Sequence, residues 1–113
     1  MPSRELELRV RDMLAEIAVV EEAVTGLSAE TFAHNPQALR AVLYSLAVIG
    51  EAVASAINEL EEADSATPWH QIRGMRNAVI HEYFRVDVET VWQTVQLDLP
   101  LLKTALKRIL EEL

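Results

Sequence analysis

A chain of 113 residues, half of them hydrophobic, is long enough for one domain with its own core and too apolar for a disordered tail. Its net charge of −8 argues against a protein that coats DNA or RNA over a broad surface. There is no cysteine, which excludes disulfides, thiolate zinc sites and cysteine nucleophiles.

In chain order, Ser3 is the expected N-cap of a first helix. Leu6, Val10, Met13, Ile17, Val20, Val24 and Leu27 recur every three or four residues, the period of one apolar helix stripe. Gly26 and Ser28 mark its stop, and a short turn through Phe32 follows. Asn35-Pro36 opens a second helix, with Asn as cap and Pro at the first helical position. Leu39, Leu43, Leu46, Ile49, Val53, Ile57 and Leu60 form its stripe, and Val42, Ala47, Val48 and Ala52 make it apolar on more than one face. Such a helix is central, or it meets a second chain. Residues 61–66 read as a linker. Thr67-Pro68 starts a third helix carrying Trp69, Ile72, Met75, Val79 and Ile80, with both tryptophans of the chain expected in the core. After a tight joint through Phe84 and Arg85, Asp87 caps a fourth helix running from Val88 to Leu113, which Pro100 is expected to kink.

No strand alternation is evident. The expectation is an all-α, up-down four-helix bundle over residues 1–113, a single domain that forms a homodimer. Residues 1–7 carry charges where a secretory signal needs an apolar stretch. The longest near-apolar run, Ala41 to Gly50, is shorter than the ~20 residues that cross a bilayer. A cytoplasmic protein without a membrane partner is expected. With three glycines and no Gly-rich phosphate loop, Walker and Rossmann chemistry is excluded.

Charge is segregated. The 17 residues from Trp69 to Arg85 hold Arg73, Arg76 and Arg85 against one acid, Glu82, and so carry +2, leaving −10 on the other 96. This segment also holds His70 and His81. Arginine offers a fork of donors that matches phosphate oxygens. Histidine moves protons near neutral pH. Asn77 can orient a phosphate or a hydroxyl. Together they suit metal-independent RNA cleavage, in which the ribose 2′-OH attacks the adjacent phosphorus. No carboxylate cluster suits two-metal catalysis, and no ligand spacing joins His34, His70 and His81, so neither metal nor cofactor is expected.

Asn77 and His81, four apart, share a helix face. Arg76 and His81, five apart, are separated by roughly 140° on an ideal helix. Either the helix ends near His81 or a second chain completes the site. Taken alone, His81 would be a helix-end histidine that caps carbonyls or pairs with Glu82, and Arg76 an ordinary ion-pairing arginine. Glu51 is an unusual acid on the most apolar helix. Its carboxylate is expected to be buried and to need Arg73 or Arg76 as partner.

Arg76-Asn77-Ala78-Val79-Ile80-His81 followed by Tyr83 reads R-x4-H-x-Y. With Trp69-x-x-Ile72-x-Gly74-Met75 before it, Tyr83-Phe84-x-Val86-Asp87 after it, and Ile49-Gly50-Glu51-Ala52 upstream, the chain resembles the HepT-like toxins of the HEPN superfamily over nearly its whole length. The resemblance implies a helical bundle that dimerises with two R-x4-H motifs near the dyad. It implies a metal-independent endoribonuclease toxin with Arg76 and His81 as its catalytic motif; from the chemistry of the basic segment, Asn77 is expected to join them as an orienting group and Arg73 and Arg85 to contact RNA. It also implies a minimal nucleotidyltransferase antitoxin that attaches adenylate to Tyr83. The alternatives are a non-catalytic module that partners a nucleotidyltransferase, and a nucleotide-binding sensor.

Overall fold

The computed structural model describes residues 4–81 and 87–113, with side chains for all of these except 78–81. Its described elements are helical throughout: α1 (Arg4–Ala23), α2 (Ala29–Ala33), α3 (Pro36–Ser55), α4 (Ile57–Ala63), α5 (Trp69–His81), α6 (Val88–Gln93), a π-helical turn (Thr94–Asp98) and α7 (Leu99–Glu111). The expected cap at Ser3 and the joint through Phe84 and Arg85 lie outside the described residues.

The α1 stripe, Leu6, Val10, Met13, Ile17 and Val20, is buried, and its chain stops at Gly26, whose φ of +79° suits a residue without a side chain. The expected turn at Phe32 is instead a one-turn helix. Ser28 Oγ accepts the Thr31 N–H at 3.2 Å, and Thr31 Oγ1 accepts the Ser28 N–H at 2.8 Å, a reciprocal cap that holds α2 while Phe32 is fully buried. The Phe32 ring lies 5.2 Å from that of Trp92 on α6. Asn35 caps α3 as expected, its Oδ1 accepting the Ala38 N–H at 3.0 Å.

α3 is central, packed between α1 and α5, while α7 packs on α1. By length and composition alone it could cross a membrane, yet half of it is buried within this chain. Its second apolar face is therefore covered by a helix of the same protomer, and Tyr44 is its one large exposed apolar residue among those described. The other well-exposed apolar side chains near the end of the chain, Leu97 and Leu101, stand one turn apart on the π turn and α7. Ala56 breaks the expected continuous second helix. It leaves α geometry, and its N–H reaches back only to the Val53 carbonyl. No glycine or proline announces this break. Beyond it, α4 contacts α5 and Leu60 is fully buried.

The expected linker is shorter than residues 61–66, because α4 continues to Ala63. Thr67 does not cap α5 with its side chain. Its hydroxyl donates to Asp64 Oδ2 at 2.7 Å, joining the Ala66 N–H at 3.0 Å on Oδ1 and Arg108 Nη2 at 3.2 Å on Oδ2. The Asp64 carbonyl accepts the Nε1–H of buried Trp69 at 2.7 Å. One acid thus ties the α4–α5 joint to α7.

Asp87 caps α6 as expected, accepting the Glu89 N–H at 3.0 Å. The disturbance expected at Pro100 appears one turn earlier. The Leu99 N–H bonds the Thr94 carbonyl five residues back, so the wider π turn absorbs the bond that proline cannot make. α5 and α7 leave between them a groove of about 590 Å³, lined by Ile72, Met75, Leu102, Ala105 and the Asp64–Arg108 pair.

Burial of Asp64 works to raise its pKa, but the Thr67 hydroxyl, the N–H groups of Ala66 and Thr67 and the Arg108 cation outweigh it, and the carboxyl sits below its ordinary value. A folded-state pKa below the unfolded one gives stability that is present above the ordinary Asp range, about pH 4, and is lost as pH falls through the depressed value. Asp64→Asn is expected to cost about 1.5–3 kcal/mol at pH 7, the scale of hydrogen bonds to a charged group. It should also flatten the acid limb of a stability–pH profile measured by urea unfolding, and an unchanged limb would show that Asp64 does not carry it.

Candidate active site

Arg73, Gly74, Arg76 and Asn77 lie on the middle of α5, and His81 is its last described residue. The side chain of His81 is not described, and Tyr83 and Arg85 lie outside the described residues.

Arg76 turns toward α3. Its Nη1 donates to Glu51 Oε2 at 2.5 Å, so one of the two arginines expected to partner Glu51 does so. The premise of that expectation is corrected: the Glu51 side chain is 61% exposed, not buried, and that of Arg76 is 34% exposed. Such a pair contributes about 0.2–1 kcal/mol, too little to hold the helices together. Its effect is to fix one guanidinium nitrogen. Arg73 and Asn77 are exposed, and Arg73 makes no ion pair among the described residues. The structure thus joins Glu51 to Arg76, places Arg73 and Asn77 beside them on the outer part of the same helix, and shows no direct contact among the remaining candidates. His70 is engaged elsewhere, with Glu61 at 2.6 Å. Among the described residues no cluster of three histidines or acids could hold a metal ion.

On the other side of Glu51 a surface groove of about 320 Å³ runs between α1 and α3, lined by Arg9, Asp12, Glu16, Val48 and Ser55. With Glu51 it carries three acids against one arginine. The net negative charge of this groove repels an anion.

Two glycines escaped sequence reasoning about the site. Neither has the positive φ that would require glycine. In a helix interior each costs about 0.5–1 kcal/mol relative to alanine. At Gly50 the space is filled: an added Cβ would stand 2.8 Å from the Arg76 nitrogen. At Gly74, among the described residues and outside its own helix backbone, nothing lies within 4 Å of an added Cβ. The sequence signals were a glycine inside an otherwise strong helical pattern and the place of both glycines in the strings that carry the family resemblance.

These features describe an all-helical protein that presents a short cationic face on one helix, braced by an acid from the helix beneath. The chain belongs to the HepT-like ribonuclease family: the model described as Ribonuclease HepT-like matches residues 13–109. It is 40% identical over 100 residues to "Putative RNase TTE0752" of Caldanaerobacter subterraneus subsp. tengcongensis, covering 88% of this chain and 89% of that one. It is 32% identical over 113 residues to "Putative RNase MJ0125" of Methanocaldococcus jannaschii, covering 100% and 97%. To "Probable ribonuclease HepT" of Thermococcus cleftensis it is 32% identical over 100 residues, covering 88% and 91%. No solved structure matches the chain significantly.

Because Gly74 is helical and uncrowded, Gly74→Ala is expected to raise stability by about 0.5–1 kcal/mol. Thermal or urea unfolding checks this, and a loss of stability would reveal a contact at Gly74 within the folded protein.

Proposed function

We propose that this protein is a metal-independent endoribonuclease toxin that acts as a cytoplasmic homodimer. The observation that carries this reading is Arg76: a guanidinium held through one nitrogen by Glu51, beside exposed Asn77, on the helix that also carries His81, in a chain of a ribonuclease family. His81 removes the proton of the ribose 2′-OH. The 2′-oxygen bonds to phosphorus, the bond from phosphorus to the 5′-oxygen breaks, and the departing oxygen takes a proton from His81 or its copy in the second chain. Arg76 stabilises the charge that develops on the phosphorane, and Asn77 orients the phosphate. Arg73 and Arg85 hold the neighbouring RNA backbone. The products are a 2′,3′-cyclic phosphate and a 5′-hydroxyl.

The proposed antitoxin is a minimal nucleotidyltransferase that moves adenylate from ATP to the Tyr83 hydroxyl, releasing pyrophosphate. The added phosphodiester is negative and stands two residues from His81, where it repels an RNA phosphate. The exposed Leu97 and Leu101 support association with a second copy. A single sedimenting species of monomer mass at micromolar concentration would overturn the dimer.

His81→Ala and Arg76→Ala are each expected to lower RNA cleavage about 10²–10⁴-fold, with helical circular dichroism unchanged. End-group analysis of the fragments checks the products. Full cleavage by a clean His81→Ala preparation would overturn the mechanism. Expression of the chain without growth arrest or RNA breakage would favour the non-catalytic module, in which Tyr83 serves only as the nucleotidyltransferase target.

A further inference from the structure

Glu51 reaches Arg76 across the α3–α5 interface, and at the neighbouring Gly50 the two helices pass very close. A Cβ placed there would stand 2.8 Å from the Arg76 nitrogen, 3.1 Å from the Arg73 carbonyl oxygen and 3.1 Å from Arg76 Cβ. Two of these atoms are main chain within a helix, so no rotamer change can move them away. Any side chain at position 50 would push α5 outward where the two candidate phosphate-binding arginines leave it. The backbone at Gly50 is not left-handed, so its conformation alone does not call for glycine. The contact does.

Resting on the ribonuclease reading above, we propose that Gly50 is a positioning residue of that site. Its bare Cα sets the α3–α5 spacing at which Glu51 Oε2 meets Arg76 Nη1. The guanidinium is thereby held in one place, with its Nε and Nη2 edge left for a phosphate. Gly50 acts through Arg76 and touches no substrate. A few tenths of an ångström at the helix backbone are magnified along the arginine side chain, and catalysis is sensitive to displacements of that order.

The test uses the full chain and a single-stranded RNA oligonucleotide, with kcat and KM measured for Gly50→Ala, Glu51→Ala and the double variant. Gly50→Ala is expected to lower kcat about 10- to 100-fold with little change in KM. The double variant is expected to fall no more than about threefold below the worse single one, because both changes release the same guanidinium. Ile109→Val, buried on α7, serves as a destabilised control that keeps its kcat. A merely structural role for Gly50 would lower the melting temperature and leave kcat intact, which overturns the proposal, as would multiplying losses. If Gly50→Ala does not fold, Glu51→Ala decides, and an unchanged kcat there overturns the proposal.

Side-chain ¹⁵N NMR of Arg76, assigned through Arg76→Lys, gives a readout independent of activity. Gly50→Ala should move the Arg76 Nε–H signal toward its position in Glu51→Ala. If the wild-type chain cleaves no RNA, the ribonuclease reading fails and with it the catalytic role of Gly50. The NMR shift still decides whether Gly50 positions Arg76, and an unmoved signal overturns that.

Discussion

The structure depends on how closely α5 can lie against α3, and that distance is set where Gly50 meets the backbone of Arg73 and Arg76. α3 is gripped from its other side by α1, which in turn carries α7. Among the described residues α5 has no comparable second support, since a groove separates it from α7 and only the short α4 also packs on it. The placement of the arginines relative to the rest of the molecule therefore runs through one helix–helix interface. The Asp64 knot steadies the start of α5 from the α7 side, five residues before Trp69. These two fixings hold α5 at its start and at Gly50, and a site built on a helix needs such holds if its groups are to stay in register.

Much of this order was legible in the sequence, and the reason is local chemistry. Asn35 and Asp87 cap helices because a short side-chain acceptor suffices to bind a nearby free N–H. The apolar stripes of α1 and α7 are buried as their period requires. The centrality of α3 followed from having two apolar faces. What was not legible depends on residues far apart in the chain. Thr67 looked like a cap, but Asp64 competes for its hydroxyl, and Asp64 is held by Arg108, which is 44 residues away. The Ala56 break has no local marker. Pro100 announced a disturbance, but the π turn that relieves it lies in Thr94–Asp98, where no residue type signals it.

The site shows the same division. A charge on an apolar helix asked for a partner, and Glu51 has one in Arg76. Burial was the wrong premise, because Glu51 stands at the edge of α3 where α5 passes, and its carboxylate remains largely in solvent. Gly50, next to it, could be read as a weak spot in a helix but not as a contact, since a sequence does not show which backbone lies opposite. Gly50 and Gly74 look alike in the sequence and differ completely in space. One is pressed against the α5 main chain, and the other faces open surroundings.

Net charge must be judged on the same scale. At physiological salt, exposed charges are screened over about 8 Å, so acids on distant parts of α1 or α7 contribute little to an anion near Arg76. What matters is the immediate set: Asp12, Glu16 and Glu51 with Arg9 in the α1–α3 groove, and Arg73 on the outer part of α5. Among the described residues, the acids of that groove gather on the α1 side of Glu51 and so act as a direction rather than as a uniform repulsion. They turn away a phosphate approaching over α1. A chain with −8 overall can therefore receive RNA at one place while its remaining surface discourages adsorption elsewhere.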